Sequence, residues 1–259
     1  MADTTAGKAN KVTWLDLASP DLEASKRFYG QIFGWEAEQV AGPEAGNYTF
    51  FKLQGKQAAG LAAIMGEGQP PAWMVYIMSP NVDQTAEGIR AAGGEIVMGP
   101  MDVMDAGRMC VFRDPTGAYL ALWQPGSHTG TQVSGVPGSI SWVELQTRDM
   151  PKATQFYRQV FGWEALVHPM EGGPDYTEWQ IDGVSVGGGM DMTSMVPAEV
   201  PPNWLTYFQV ESADRTAEQI KQHGGTVMAG PMDSPGGRFV VALDPQGAAF
   251  GVLEQAHLA

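Results

Sequence analysis

Two acids stand at matching places in this chain, each two residues past a tryptophan: Asp16 in Trp14-Leu15-Asp16 and Glu144 in Trp142-Val143-Glu144. Residues two apart in a β-strand face the same side, so each carboxyl would share its face with an indole. Burial against indoles disfavours the ionised carboxylate and raises its pKa. Asp16 and Glu144 are therefore the candidate acid–base catalysts. The rings offer stacking surface to a flat ligand, and a lone carboxylate among them can orient a cation or a hydroxyl. Two blander readings stand beside this one. In one the tryptophans are filler; in the other the carboxyls only pair with an arginine such as Arg108 or Arg238.

Other chemistry-bearing residues point nowhere sharper. The chain has four histidines: His128 in a linker, His168 past the second Phe-Gly-Trp, His223 in a last helix turn and His257 in the tail. All read as surface or capping residues, and no HxH, HExxH or CxxC pattern occurs. Cys110 is the sole cysteine; it sits in an apolar run and reads as a small buried hydrophobe. Gly187-Gly188-Gly189 lacks the helix start a phosphate loop needs, so close strand packing is the simpler reading. Gly107-Arg108 and Gly237-Arg238 each open a strand and read as hairpin contacts.

The elements that must position these residues are written twice. Residues 13–40 and 141–168 match at eleven of 28 positions, including Phe28-Tyr29/Phe156-Tyr157 and Phe33-Gly34-Trp35-Glu36/Phe161-Gly162-Trp163-Glu164. A repeat of this length means one half-molecule fold built twice. In the first half an alternating strand over 12–17 precedes Ser19-Pro20-Asp21, read as an N-cap, a first-turn proline and an acid at the positive helix end. Leu22, Ser25, Tyr29, Ile32 and Phe33 then fall at helical spacing, and short strands follow at 48–53 and 60–65. A second unit opens at Trp73, with a helix stopping at Gly93-Gly94. Asp114-Pro115-Thr116-Gly117 suits a type I turn between paired strands, as does Asp244-Pro245-Gln246-Gly247. The order strand, helix, three strands recurs four times, an α+β pattern with mixed sheets. The expected organisation is a flexible tail at 1–11, a first domain at 12–124, a Gly/Ser/Pro-rich linker at 125–138 and a second domain at 139–259.

Composition narrows the function. A net charge of −14 repels nucleic-acid backbones and anionic membranes. No stretch approaches a membrane span, and the first residues lack an apolar signal core, so a cytoplasmic location is expected. A monomer or weak homodimer acting on a small molecule fits best.

The chain resembles the vicinal oxygen chelate superfamily, which includes glyoxalase I, bleomycin-resistance proteins and extradiol dioxygenases. The resemblance covers nearly the whole chain. It rests on Asp21-Leu22, Ser25, Phe28-Tyr29, Phe33-Gly34-Trp35 and Asp114-Pro115-Thr116-Gly117 with their second-half equivalents. It implies four βαβββ modules paired into two U-shaped, half-barrel cups, each with its site inside. Metal-using members carry ligands at the start of the first strand, at the start of the fifth and on the last. Those places map to Trp14, Trp73 and Ala121, and to Trp142, Trp204 and Gly251. An indole has no lone pair to give, and alanine and glycine coordinate nothing, so no metal is expected. Nor is there a motif for another cofactor.

The resemblance thus implies a first cup lined by Trp14, Trp73, Tyr119 and Trp123 around Asp16. It implies a smaller, less aromatic second cup with Trp142, Trp204 and Glu144. Three functions follow. The first is metal-independent binding of a small aromatic or cationic molecule, favoured in the first cup. The second is a glyoxalase-like or hydroxylase-type enzyme using Asp16 or Glu144. The third is an interaction module with closed cups.

Overall fold

The structure, a computed structural model, describes residues 9–66, 68–170 and 172–256. His257 and residues 1–8 of the expected tail lie outside the described residues. The first half runs β1 (Val12–Ser19), α1 (Leu22–Phe33), β2 (Glu36–Gln39), β3 (Thr49–Leu53), β4 (Lys56–Ala63), β5 (Ala72–Met78), α2 (Val82–Ala91), β6 (Glu95–Val103), β7 (Gly107–Arg113) and β8 (Tyr119–Pro125). The second half repeats it: β9 (Ile140–Thr147), α3 (Met150–Phe161), β10 (Glu164–His168), β11 (Tyr176–Ile181), β12 (Val184–Asp191), β13 (Asn203–Gln209), α4 (Ala213–Gln222), β14 (Thr226–Ser234), β15 (Gly237–Leu243) and β16 (Ala249–Gln255).

Each half builds its own open, mixed, eight-stranded sheet, ordered β2-β3-β4-β1-β5-β8-β7-β6 and β10-β11-β12-β9-β13-β16-β15-β14. Its two modules meet at an antiparallel seam, β1 against β5 and β9 against β13. The fold is α+β, with two half-barrel cups, as the resemblance implies. Helix α1 starts two residues later than the sequence suggests. Asp21, not Ser19, is the N-cap, and its carboxylate accepts from the Ala24 amide at 2.9 Å. Gly34 ends the helix at φ 69°, where a side chain would be strained.

The helices cover one side of both sheets, and one apolar core joins the halves there. Phe33 packs on Phe208, and Phe112 on Phe156. The residues that carry the family resemblance are the ones that make this contact. The Tyr29 hydroxyl donates to Asp244 Oδ2 at 3.0 Å, and the Tyr157 hydroxyl donates to Asp114 Oδ2 at 2.7 Å. The other oxygen of each aspartate accepts backbone amides of its own Asp-Pro-x-Gly turn. The Trp35 indole donates to the Gly138 carbonyl, and Trp163 donates to that of Asn10. Each Phe-Gly-Trp therefore anchors the entry to the other half's first strand.

The segment after β8 is not a loose linker. Its amides and side chains bond to the first half at several points: Gly126 and His128 N–H to Ala106 O, Thr131 N–H to Thr13 O and Gln132 N–H to Gln57 O. The strap so formed lies over the end of the first sheet where β1 begins and β8 finishes.

Candidate functional site

The register at the β1–β5 seam decides what faces each cup. Asp16 stands opposite Met74, Trp14 opposite Tyr76, and Leu17 opposite Trp73. Trp14, Asp16, Met74 and Tyr76 therefore share the open face. Trp73 points the other way, with Leu17, into the core between the halves. Its indole donates to the Tyr29 hydroxyl at 3.0 Å and packs on Phe208. Trp204 is its twin, donating to the Tyr157 hydroxyl at 3.0 Å. Neither lines a cup, which corrects the placement expected from sequence. β5 is apolar on both faces, so alternation alone gave no parity.

In the first cup Asp16 Oδ1 accepts from the Tyr48 hydroxyl at 2.5 Å and from Trp14 Nε1 at 2.8 Å. Burial is the larger influence and pushes the Asp16 carboxyl up; hydrogen bonds from Tyr48, Tyr76 and Trp14 oppose it. Tyr48 and Tyr76 are pushed well above the ordinary phenol value, by burial first and by the neighbouring carboxylate second. Gly60, opposite Asp16 on β4, makes the room. A Cβ there would sit 1.9 Å from Asp16 Oδ1 and 2.1 Å from the Tyr48 hydroxyl.

Around this pair Trp14, Tyr76, Val111, Ala121 and Trp123 form a packed cluster, with Phe50, Met74, Met98, Val103 and Met109 partly exposed against it. Tyr119 is 47% exposed and stands at the edge outside the cluster. His128, expected on the surface, instead reaches in from the strap. Its ring meets Trp14 edge-on at 4.4 Å and lies 5.5 Å from Phe50 and 5.6 Å from Trp123.

The second cup repeats the plan with different contents. Glu144 is buried, and its Oε1 accepts from Gln146 at 3.3 Å and from the Tyr207 hydroxyl at 3.4 Å. Burial pushes this carboxyl up too, against hydrogen bonds from Gln146, Tyr176 and Tyr207. Trp142 is only partly buried and donates to the Tyr176 hydroxyl at 2.7 Å rather than to the acid. Gly188 replaces Gly60: a Cβ there would be 2.0 Å from the Tyr176 hydroxyl. Close strand packing is thus the role of the triple glycine.

The remaining sequence readings resolve simply. Arg108 binds Asp83 and Asp102, and Arg238 binds Asp214 and Asp233, all on the surface and away from the cup acids. Burial pushes the Cys110 thiol up to about 11, which suits an inert residue. The tyrosines were missed, yet the repeat carried a signal. The offset of 128 that takes Asp16 to Glu144 also takes Tyr48 to Tyr176 and Gly60 to Gly188.

The cups do not suit the metal that the fold family implies. Among the described residues no group of three or more His, Cys, Asp and Glu converges. Where a carboxylate ligand would stand on the last strand, Ala121 is packed under Tyr76. At Gly251 the Tyr207 ring fills the space, so that a Cβ would come 2.2 Å from its Cδ1.

Comparison with known proteins gives the family. The chain matches the Glyoxalase/Bleomycin resistance protein/Dioxygenase superfamily over residues 11–122 and again over 139–252. It belongs to that superfamily. Among curated relatives it is 38% identical to the anthracycline biosynthesis protein DauV of a Streptomyces species over 255 residues, covering 93% of this chain and 92% of the relative. Solved structures of this superfamily's fold resemble it at low identity. The 2,3-dioxygenase LapB from Pseudomonas sp. KL28 aligns with a TM-score of 0.66 at 14% identity, over 97% of this chain and 94% of its own. The Mn(II)-bound glyoxalase from Novosphingobium aromaticivorans aligns at 0.67 with 17% identity, over 96% and 84%. These two likenesses speak to the fold alone. No helix among the described residues is long and apolar enough to cross a membrane.

Proposed function

We propose that this superfamily member binds a small, flat aromatic or cationic organic molecule in its first cup, without a metal. The observation that carries this reading is the ring set of Trp14, Phe50, Trp123 and His128 on the sheet face turned away from the helices, with Trp14 and Trp123 buried, Phe50 and His128 partly exposed, and Asp16 bonded to the Trp14 indole. Aromatic faces give stacking area and attract cations, and a single acid supplies orientation. The methionines around the mouth, Met74, Met98 and Met109, are flexible and polarisable, so they can repack around a flat guest. The name of the Streptomyces relative, with its reference to anthracycline biosynthesis, supports a polycyclic ligand. The donor set argues for metal independence, because one carboxylate already holding two short protein hydrogen bonds is a poor anchor for a divalent ion.

Titration with anthraflavic acid, a flat diphenol, tests the reading through tryptophan emission. Saturable quenching is expected, and Trp14→Phe should weaken it severalfold. The quenching should survive chelator treatment, and elemental analysis should find no stoichiometric metal. Absence of quenching would favour closed cups and an interaction role. A tightly held ion would remove the metal-free claim.

A second reading has its own support. Glu144 is buried, and the contacts its Oε1 accepts from Gln146 and Tyr207, at 3.3 and 3.4 Å, are longer than the 2.5 and 2.8 Å bonds that Asp16 accepts. An acid–base enzyme would place its chemistry there. Turnover abolished by Glu144→Gln and spared by Asp16→Asn is the expected pattern for that case.

A further inference from the structure

His128 is the feature of the first cup that neither the acid pair nor the stacking rings explain. It belongs to the strap, and its position is fixed on several sides. Its amide donates to Ala106 O, and its carbonyl accepts from Trp123 Nε1 at 2.9 Å. Gln57 Oε1 stands 3.1 Å from Nδ1. That oxygen is an acceptor, so Nδ1 carries the proton and Nε2 carries the lone pair. Nε2 is buried, and among the described residues no donor reaches it. Burial also drops the imidazolium pKa to about 4, so the ring is neutral under physiological conditions. A buried acceptor without a donor is expensive, and native structures rarely keep one without a use.

The ring's surroundings suggest that use. His128 lies edge-on to Trp14, whose indole nitrogen bonds Asp16. The cup therefore holds two polar groups about one indole: an acid satisfied by tyrosine, and an imidazole with an open lone pair. Trp14 and Trp123 are buried, so a flat guest would have to enter at the partly exposed Phe50, 5.5 Å from the His128 ring, to bring its edge to the imidazole.

We infer that His128 Nε2 is the specificity-determining acceptor of the first cup, and that it selects aromatic ligands carrying a hydroxyl, whose O–H donates to it. This rests on the ligand-binding reading above and names the class of ligand. Phenols and hydroxylated polycycles fit. Their O-methylated counterparts, with the same rings and no donor, do not.

The test compares anthraflavic acid with its dimethyl ether at about pH 6, below the phenol range and above the value of about 4 to which burial lowers His128. The wild-type protein is expected to bind the diphenol about tenfold more tightly, the worth of one good hydrogen bond. His128→Ala removes ring area from the site and should weaken both compounds, but the preference for the diphenol over the ether should disappear. Imidazole-nitrogen NMR of the wild-type protein gives a readout that needs no variant. The His128 Nε2 resonance should move on adding the diphenol and stay put with the ether. Equal wild-type affinities, a preference that survives His128→Ala, or an unmoved resonance overturns this inference while sparing the cup as a binding site. Failure of both compounds to bind overturns the cup reading and this inference together.

Discussion

The two sides of each sheet have diverged to different degrees. On the helix-covered side the halves are near copies. Tyr29 bonds Asp244 as Tyr157 bonds Asp114, and Trp73 bonds Tyr29 as Trp204 bonds Tyr157. On the open side the copies part company. The first cup packs Trp14, Trp123 and several methionines around a tightly held acid. The second puts Leu205, Gly251 and Leu253 at the places of Met74, Ala121 and Trp123, and leaves its acid loosely held. The strongest sequence identity therefore marks the contact between halves, whereas the variable positions mark where ligand chemistry would be tuned.

The sharpest way to break this contrast is to truncate one indole on each side. Trp73→Ala should cost about 3–5 kcal/mol, as for other large-to-small changes of buried aromatics. Trp142→Ala should cost far less, since its ring is partly exposed. Chemical denaturation of both variants decides it, and similar losses would mean that the second cup is a core in its own right. Next in size is Asp114→Ala. It removes the acceptor for Tyr157 and for three amides of its turn, and about 2–3 kcal/mol is expected by the same measurement.

Gly60→Ala should be smaller in stability, about 1–3 kcal/mol of overpacking. Its effect on the first cup should be large, because the new Cβ must displace Asp16 or Tyr48. Probe quenching should fall with Gly60→Ala and persist with Gly188→Ala. Loss in both would mean that the cups do not act separately.

The smallest effects are in pH dependence, where the cups carry groups of opposite sign. Asp16 and Glu144 have raised folded values, so the unfolded chain ionises first as pH rises from the ordinary carboxylate range. Each then withdraws stability across that window. His128 has a depressed folded value of about 4. The unfolded chain binds its proton first as pH falls, so stability drops from about pH 6.5 towards pH 4. Melting temperatures against pH should therefore rise in Asp16→Asn near neutrality and lose their acid-side fall in His128→Asn. An unchanged slope in either variant would remove that residue from the account.

Much of the architecture was legible because the repeat, the strand alternation and the helix-ending glycines agree. Edge strands β2 and β10 were not, since every residue in them is exposed and no apolar alternation marks them. Trp73 misled for the opposite reason. Its strand is buried on both sides, and only pairing to β1 fixes which way the indole turns. The tyrosine partners of Asp16 and Glu144 stand more than thirty residues away, beyond any local pattern. His128 was hidden by its company. Gly, Ser and Thr neighbours suggest slack chain, whereas here they let the backbone bond closely along Thr13.

The crossed tyrosine–aspartate bonds have one more implication. Each aspartate serves its own turn with one oxygen and a foreign helix with the other, so a half expressed alone would lack both its acceptor and its donor. It could recover them only by pairing with another molecule across a twofold axis. Two unlike interiors on one chain are the arrangement such a pair attains once its members are fused.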